Sequence, residues 1–200
     1  MANPMDFYFD YSSPYGYFAA MKIDELAAKH GRSVNWKPIL LGVVFKVTGA
    51  QPLPNLPLKG DYANRDFARS ARFLGIPFKS PSRFPISSQA PARAFYWANE
   101  QDPALARSLA KVLYQAYFVA DRDISSPEVT ADVATTLGLK RDEVLAALND
   151  PAVKDRLKNE VDAAIKRGVF GSPYIVIDGE AFWGVDRFDQ IERWLVTGPF

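Results

Sequence analysis

The chain has 200 residues, 48% of them hydrophobic and 24% charged, enough for one good core or one domain carrying an insertion. Its 24 basic and 23 acidic side chains leave a formal charge of +1, which gives no electrostatic case for nucleic acid or an anionic membrane as partner. There are no cysteines and one histidine. That excludes disulfides, thiolate catalysis by the chain itself and cysteine-ligated metals, and zinc would have to rely on carboxylates almost alone.

The first residues carry no basic-then-apolar leader, and the longest apolar stretch, 39–45, is too short to span a bilayer. The expectation is a soluble, cytoplasmic protein. Residues 5–11 are aromatic on both faces, with Phe7 and Phe9 on one and Tyr8 on the other, the pattern of a central, doubly covered strand. Ser13 and Pro14 then open a helix as N-cap and first helical residue, and the helix runs to Gly31. Residues 33–39 read as a second strand.

Pro52, Pro54 and Pro57 punctuate a loop over 49–60, where a regular helix is not expected. Residues 61–74 look helical, and 75–89 form another proline-bearing connection. Helices are then expected over 91–101, 103–120, 126–138, 141–148 and 150–167. Asp102-Pro103, Ser126-Pro127 and Asp150-Pro151 repeat the cap-then-proline signature. After Gly171 the pattern returns to strand: 174–177 and 181–183 flank an Asp178-Gly179 hairpin turn. A terminal helix spans 187–196.

Three segments can carry chemistry. Ser13 is a helix cap, and caps recur along this chain. The same position also offers a hydroxyl, free backbone N–H groups and the positive end of a helix dipole, which together favour an anion and drive a thiol towards thiolate. Ser12 is an alternative cap that would free Ser13 for a ligand. Ser172-Pro173 is either a proline that begins an edge strand or a cis step whose serine backbone can pair with an extended, peptide-like ligand. Asp186 either caps the last helix or, with nearby N–H groups, holds a zwitterionic amino-acid end. Lys59, after the proline-rich loop, is a solvated loop lysine or a partner for a ligand carboxylate; Arg83 and Arg93 are open in the same way. His30 sits beside the Gly31 cap, a position that suits imidazole for helix-end reasons alone.

In this order the segments Asp10-Tyr11-Ser12-Ser13-Pro14-Tyr15-Gly16-Tyr17, Leu58-Lys59-Gly60-Asp61-Tyr62, Phe170-Gly171-Ser172-Pro173 and Phe182-Trp183-Gly184-Val185-Asp186-Arg187 resemble the 2-hydroxychromene-2-carboxylate isomerase family. They also resemble its relative, the kappa class of glutathione transferases, within the DsbA-like group. The resemblance covers essentially the whole chain. It implies an α/β, thioredoxin-like mixed sheet with an all-helical insertion: residues 1–48 and 169–200 as the thioredoxin-like domain, 49–168 as the helical insertion with its connecting loops. It further implies a cytoplasmic homodimer, glutathione as cofactor, and isomerisation of a small aromatic carboxylate, with conjugation of electrophiles or mere ligand binding as rival activities.

Residue by residue, the resemblance makes Ser13 the serine facing the glutathione sulfur and Lys59 a partner of a glutathione carboxylate. Ser172, before a cis Pro173, would pair with the cysteinyl part, and Val185 and Asp186 would hold the γ-glutamyl end. Tyr15, Phe45 and Tyr62 are candidate pocket aromatics. Ala50 stands where relatives often have asparagine, and Val185 where serine or asparagine is common. Each lost neutral hydrogen bond costs on the order of 1 kcal/mol.

Overall fold

A computed structural model of the chain describes residues 3–200. Strand β1 (Met5–Phe9) lies inside a four-stranded sheet of order β2-β1-β3-β4. β2 (Val34–Pro38) runs parallel to it, β3 (Tyr174–Ile177) antiparallel, and β4 (Glu180–Trp183) returns antiparallel to β3. Both faces of β1 are covered: Phe7, Tyr8 and Phe9 are all buried, as its double aromatic pattern requires. Phe9 packs against Trp36, Phe95, Tyr11 and Tyr114 with ring centroids 5.3–5.9 Å apart. One ring therefore joins the sheet to helices that follow much later in the chain.

The cap-then-proline signature forms helices wherever it occurs. α1 (Pro14–Lys29), α5 (Pro103–Phe118), α6 (Pro127–Thr135) and α8 (Pro151–Lys166) each begin on proline. The preceding Ser13, Asp102, Ser126 or Asp150 side chain accepts a backbone N–H of the first turn, the group a helix start otherwise leaves unpaired. α4 (Gln89–Gln101), α7 (Arg141–Asn149) and α9 (Phe188–Thr197) complete the expected set. α4 packs along α5, α7 and α8, and α1 packs on α5. The buried residues of sheet and helices form one continuous cluster. This is the mixed sheet with inserted helices that the resemblance implies. No helix among the described residues is long and apolar enough to cross a membrane.

β1, α4 and α6 differ from the sequence reading by two or three residues at one end, and two further differences bear on the site. α2 (Leu41–Thr48) occupies the apolar stretch after β2, where no helix is expected from the sequence. Its cap residue, Leu40, supplies no side-chain bond; the Leu41 N–H is met instead by the Asp10 carboxylate, 2.7 Å away. α3 (Lys59–Leu74) starts two residues before the expected Asp61, entered through Leu58 at φ 67°. Lys59 and Gly60 are therefore helical.

Truncation of Phe9 removes the ring that the sheet and the helical layer share. Phe9→Ala should cost about 3–5 kcal/mol, read from a shifted urea midpoint at unchanged slope.

Candidate active site

The end of β1, the start of α1, α2, the proline-rich loop, α3 and the segment 84–89 enclose a cleft of about 1350 Å³. The loops at 170–173 and 183–187 close its other side. Asp10 lies at its floor and is 2% exposed. One carboxylate oxygen accepts the Ser12 N–H at 2.7 Å; the other accepts the Leu41 N–H at 2.7 Å and the Ser88 hydroxyl at 2.9 Å. The Asp10 backbone is equally occupied. Its N–H donates to Ser172 Oγ at 2.9 Å, and its carbonyl accepts the Ser13 N–H at 2.9 Å and the Tyr114 hydroxyl at 2.8 Å. Burial pushes the Asp10 carboxyl above the ordinary aspartate range, and the bonds from Leu41, Ser12 and Ser88 oppose that rise.

Ser13 stands directly above this knot. Its hydroxyl accepts the Gly16 N–H at 3.0 Å and donates to the Ser172 carbonyl at 2.9 Å. Pro14 has no N–H, and Gly16 uses its own on Ser13. The Tyr15 amide is thus left at the helix end with no protein acceptor among the described residues. An anion at this end meets that N–H and the α1 dipole together. Gly16 is required by close approach: a Cβ there would lie 2.6 Å from Ser172 Oγ and 2.9 Å from the Tyr114 hydroxyl.

The Ser172-Pro173 bond is cis. The Ser172 carbonyl is held by Ser13, while the Ser172 N–H has no acceptor among the described residues. Val185 is buried and Asp186 exposed. Neither amide donates to a protein carbonyl among the described residues, and the Asp186 carboxylate meets Arg187 at 3.2 Å. Gly184 sits at φ 113°, where any side chain would strain the backbone.

The structure brings Ser13, Ser172, Pro173, Val185 and Asp186 to one cleft, together with Ala50, Tyr15, Phe45 and Tyr62. Lys59 is exposed on the first turn of α3 and is not part of the lining, although Leu56 before it and Tyr62 after it are. Ser12 is not the cap; its hydroxyl accepts the Ile86 N–H at 3.2 Å. Arg83 pairs with Asp123 at 2.7 Å, and Arg93 donates to the Leu148 carbonyl, both away from the cleft. His30 closes the end of α1, as its place before Gly31 suggests.

Sequence reasoning missed Asp10, Lys46 and Asp66. The Tyr15 hydroxyl donates to Asp66, whose carboxylate also meets Arg69 and Ser70. Burial works to raise Asp66, but the Tyr15 and Arg69 bonds outweigh it and leave the carboxyl below its usual range. The Tyr15 phenol is pushed up by burial first and by Asp66 second. Only a short aspartate between a strand and a capping serine could have flagged Asp10. Nothing local flags the other two. No group of three or more potential metal ligands occurs among the described residues.

The family described as a DsbA-like thioredoxin domain matches residues 5–196. A glutathione S-transferase kappa 2 of Caenorhabditis elegans is 30% identical, covering 97% of this chain and 92% of its own. A 2-hydroxychromene-2-carboxylate isomerase of Pseudomonas putida is also 30% identical, over 94% and 92%. A solved structure of a 2-hydroxychromene-2-carboxylate isomerase superimposes with a TM-score of 0.87 at 29% identity, covering 96% of this chain and 94% of that one.

Alanine normally gains about 1 kcal/mol over glycine inside a helix, but the contacts at Gly16 reverse the sign. Gly16→Ala should destabilise by about 1–3 kcal/mol, measured by denaturant titration. Asp10 gives a pH signature. Between the ordinary aspartate range and its raised value, the folded chain keeps a proton that the unfolded chain has released. Its stabilising contribution is complete below the unfolded pKa and is lost as pH rises through the folded one. Asp10→Asn cannot titrate, so its deficit against the natural chain should be largest in acid and narrow as pH rises. Denaturation at stepped pH checks this; a deficit that widens with pH would contradict it.

Proposed function

The chain belongs to the DsbA-like thioredoxin family, and on that premise we propose that it is a glutathione-dependent isomerase. It interconverts 2-hydroxychromene-2-carboxylate and trans-o-hydroxybenzylidenepyruvate-type aromatic substrates. The observation that carries this reading is the start of α1, with the free Tyr15 amide beside the Ser13 hydroxyl, open to a large cleft in a chain that has no cysteine of its own. A thiol–disulfide exchange reaction is closed to such a chain; stabilising a thiolate brought by a cofactor is not.

The residues fit the tripeptide. The free Ser172 N–H beside the cis bond suits its peptide backbone. The Val185 and Asp186 amides suit a carboxylate, and the Asp186 side chain an ammonium. Lys59, exposed beside cleft-lining Leu56, is the partner for a further carboxylate. Bound glutathione would supply the nucleophilic sulfur that adds reversibly to the conjugated double bond, allows rotation and leaves. Ser13 holds the negative charge: its hydroxyl turns from the Ser172 carbonyl to the anion, exchanging a neutral hydrogen bond for a charge-assisted one. The Tyr15 N–H and the α1 dipole add to it. Ala50 offers no hydrogen bond from its side chain, and Val185 only its amide.

The 30% identity to a kappa-class transferase supports a second reading, conjugation of glutathione to electrophiles at the same site. A product that retains the thiol distinguishes it. Either activity suits a cytoplasmic homodimer. Leu58 and Phe73, 96% and 88% exposed at the two ends of α3, supply apolar surface for a second copy.

Millimolar glutathione should raise the melting temperature by mass action, and the ultraviolet spectrum of hydroxychromene carboxylate should change only when glutathione is present. Ser13→Ala should lower kcat/KM about 10²-fold, the loss typical of one anion-stabilising donor. A flat melting response, or turnover indifferent to this substitution, would defeat the proposal.

A further inference from the structure

Five charged side chains line the cleft: Asp10, Lys46, Asp66, Asp186 and Arg187. Four of them are compensated within the protein. Asp10 accepts three hydrogen bonds at the floor. Asp66 is held by Tyr15, Arg69 and Ser70. Asp186 and Arg187 meet each other at 3.2 Å. Lys46 alone has neither an ion pair nor a side-chain hydrogen bond among the described residues. It sits on α2 directly after Phe45, on the side of the helix that faces the cleft, while Val44 points into the core. Tyr62, Phe67 and Phe84 contribute aromatic surface to the same cleft. Lys46 is exposed on this cleft, and an unpaired ammonium sharing a cleft with aromatic walls suits a flat ring that carries an anionic group.

We infer that Lys46 anchors the carboxylate of the aromatic substrate, with the ring against Phe45 and the aromatic side chains of α3 and Phe84. The assignment rests on the proposed function for the reaction it serves, but not for the binding it predicts. A lysine in the last turn of a helix also complements the carbonyl end. That role would move stability alone and would not distinguish a carboxylate from an uncharged ligand.

Binding of cinnamate and of cinnamyl alcohol, followed by titration calorimetry without glutathione, separates the two roles. The probes share ring and chain and differ in charge. Lys46→Gln should weaken cinnamate about tenfold, the value of one charge-assisted contact, and shift cinnamyl alcohol by no more than about twofold. Lys46→Arg should restore cinnamate, and the melting-temperature response to glutathione should be unchanged in both variants. Absence of cinnamate binding by the natural chain, equal losses for both probes, or lost glutathione response with cinnamate retained would each overturn the assignment. A Lys46-dependent preference for cinnamate in a protein that never responds to glutathione would sustain it while defeating the proposed function.

Discussion

The Asp10 carboxylate is the constraint on which the site depends. It is buried with no cation beside it, so its charge is tolerated only because three donors converge on it. Those donors come from the turn before α1, the first residue of α2 and the residue before α4. Satisfying one side chain therefore fixes the starts of three helices around a single point. The backbone of the same residue holds Ser172 Oγ through its N–H and Ser13 through its carbonyl. The first strand, the capping serine and the cis-proline loop are thereby locked in one register.

That lock determines the character of the cleft. Ser13 and Ser172 are 159 residues apart in the chain and 2.9 Å apart at their hydrogen bond. Each serine takes part in a shared network. Because Gly16 has no Cβ, Ser172 and Tyr114 can come close to the α1 start. Proline at the first helical position removes one amide and Ser13 consumes another, so the Tyr15 N–H is the donor that faces outward without competition. The electrostatics run the same way: a helix N-terminus, one free amide and a rotatable hydroxyl favour negative charge, while the nearest carboxylate is already engaged by other donors.

Charge compensation across the rest of the cleft follows a similar pattern. The α3 carboxylate Asp66 faces inward but is neutralised by Arg69 from its own helix and accepts a hydrogen bond from Tyr15 on α1. Asp186 and Arg187 satisfy each other at the opposite loop. What is left over is a cation on α2. The helix that carries it exists where it does because Asp10 supplies the first-turn acceptor that its own sequence lacks.

The strands, the hairpin and the helices that start with a capping side chain and proline were legible from local sequence. In each of these the decisive contact lies within a few residues, as from Ser13 to Gly16 or Asp102 to Ala104. The double aromatic face of residues 5–11 likewise announced a covered central strand, since alternation along a strand is a local property. The site residues quoted from the two ends of the chain meet at one cleft, whereas Lys59, from the inserted part of the chain, is not in its lining. Only packing placed the remainder: residues 41–48 as a helix, Asp10 as the hub, Lys46 in the cleft lining with Lys59 outside it, and the Tyr15 hydroxyl on Asp66. Those outcomes depend on partners 31 to 162 residues away or on which face of a helix meets the core. Such partners become neighbours only after the sheet has brought distant parts of the chain together.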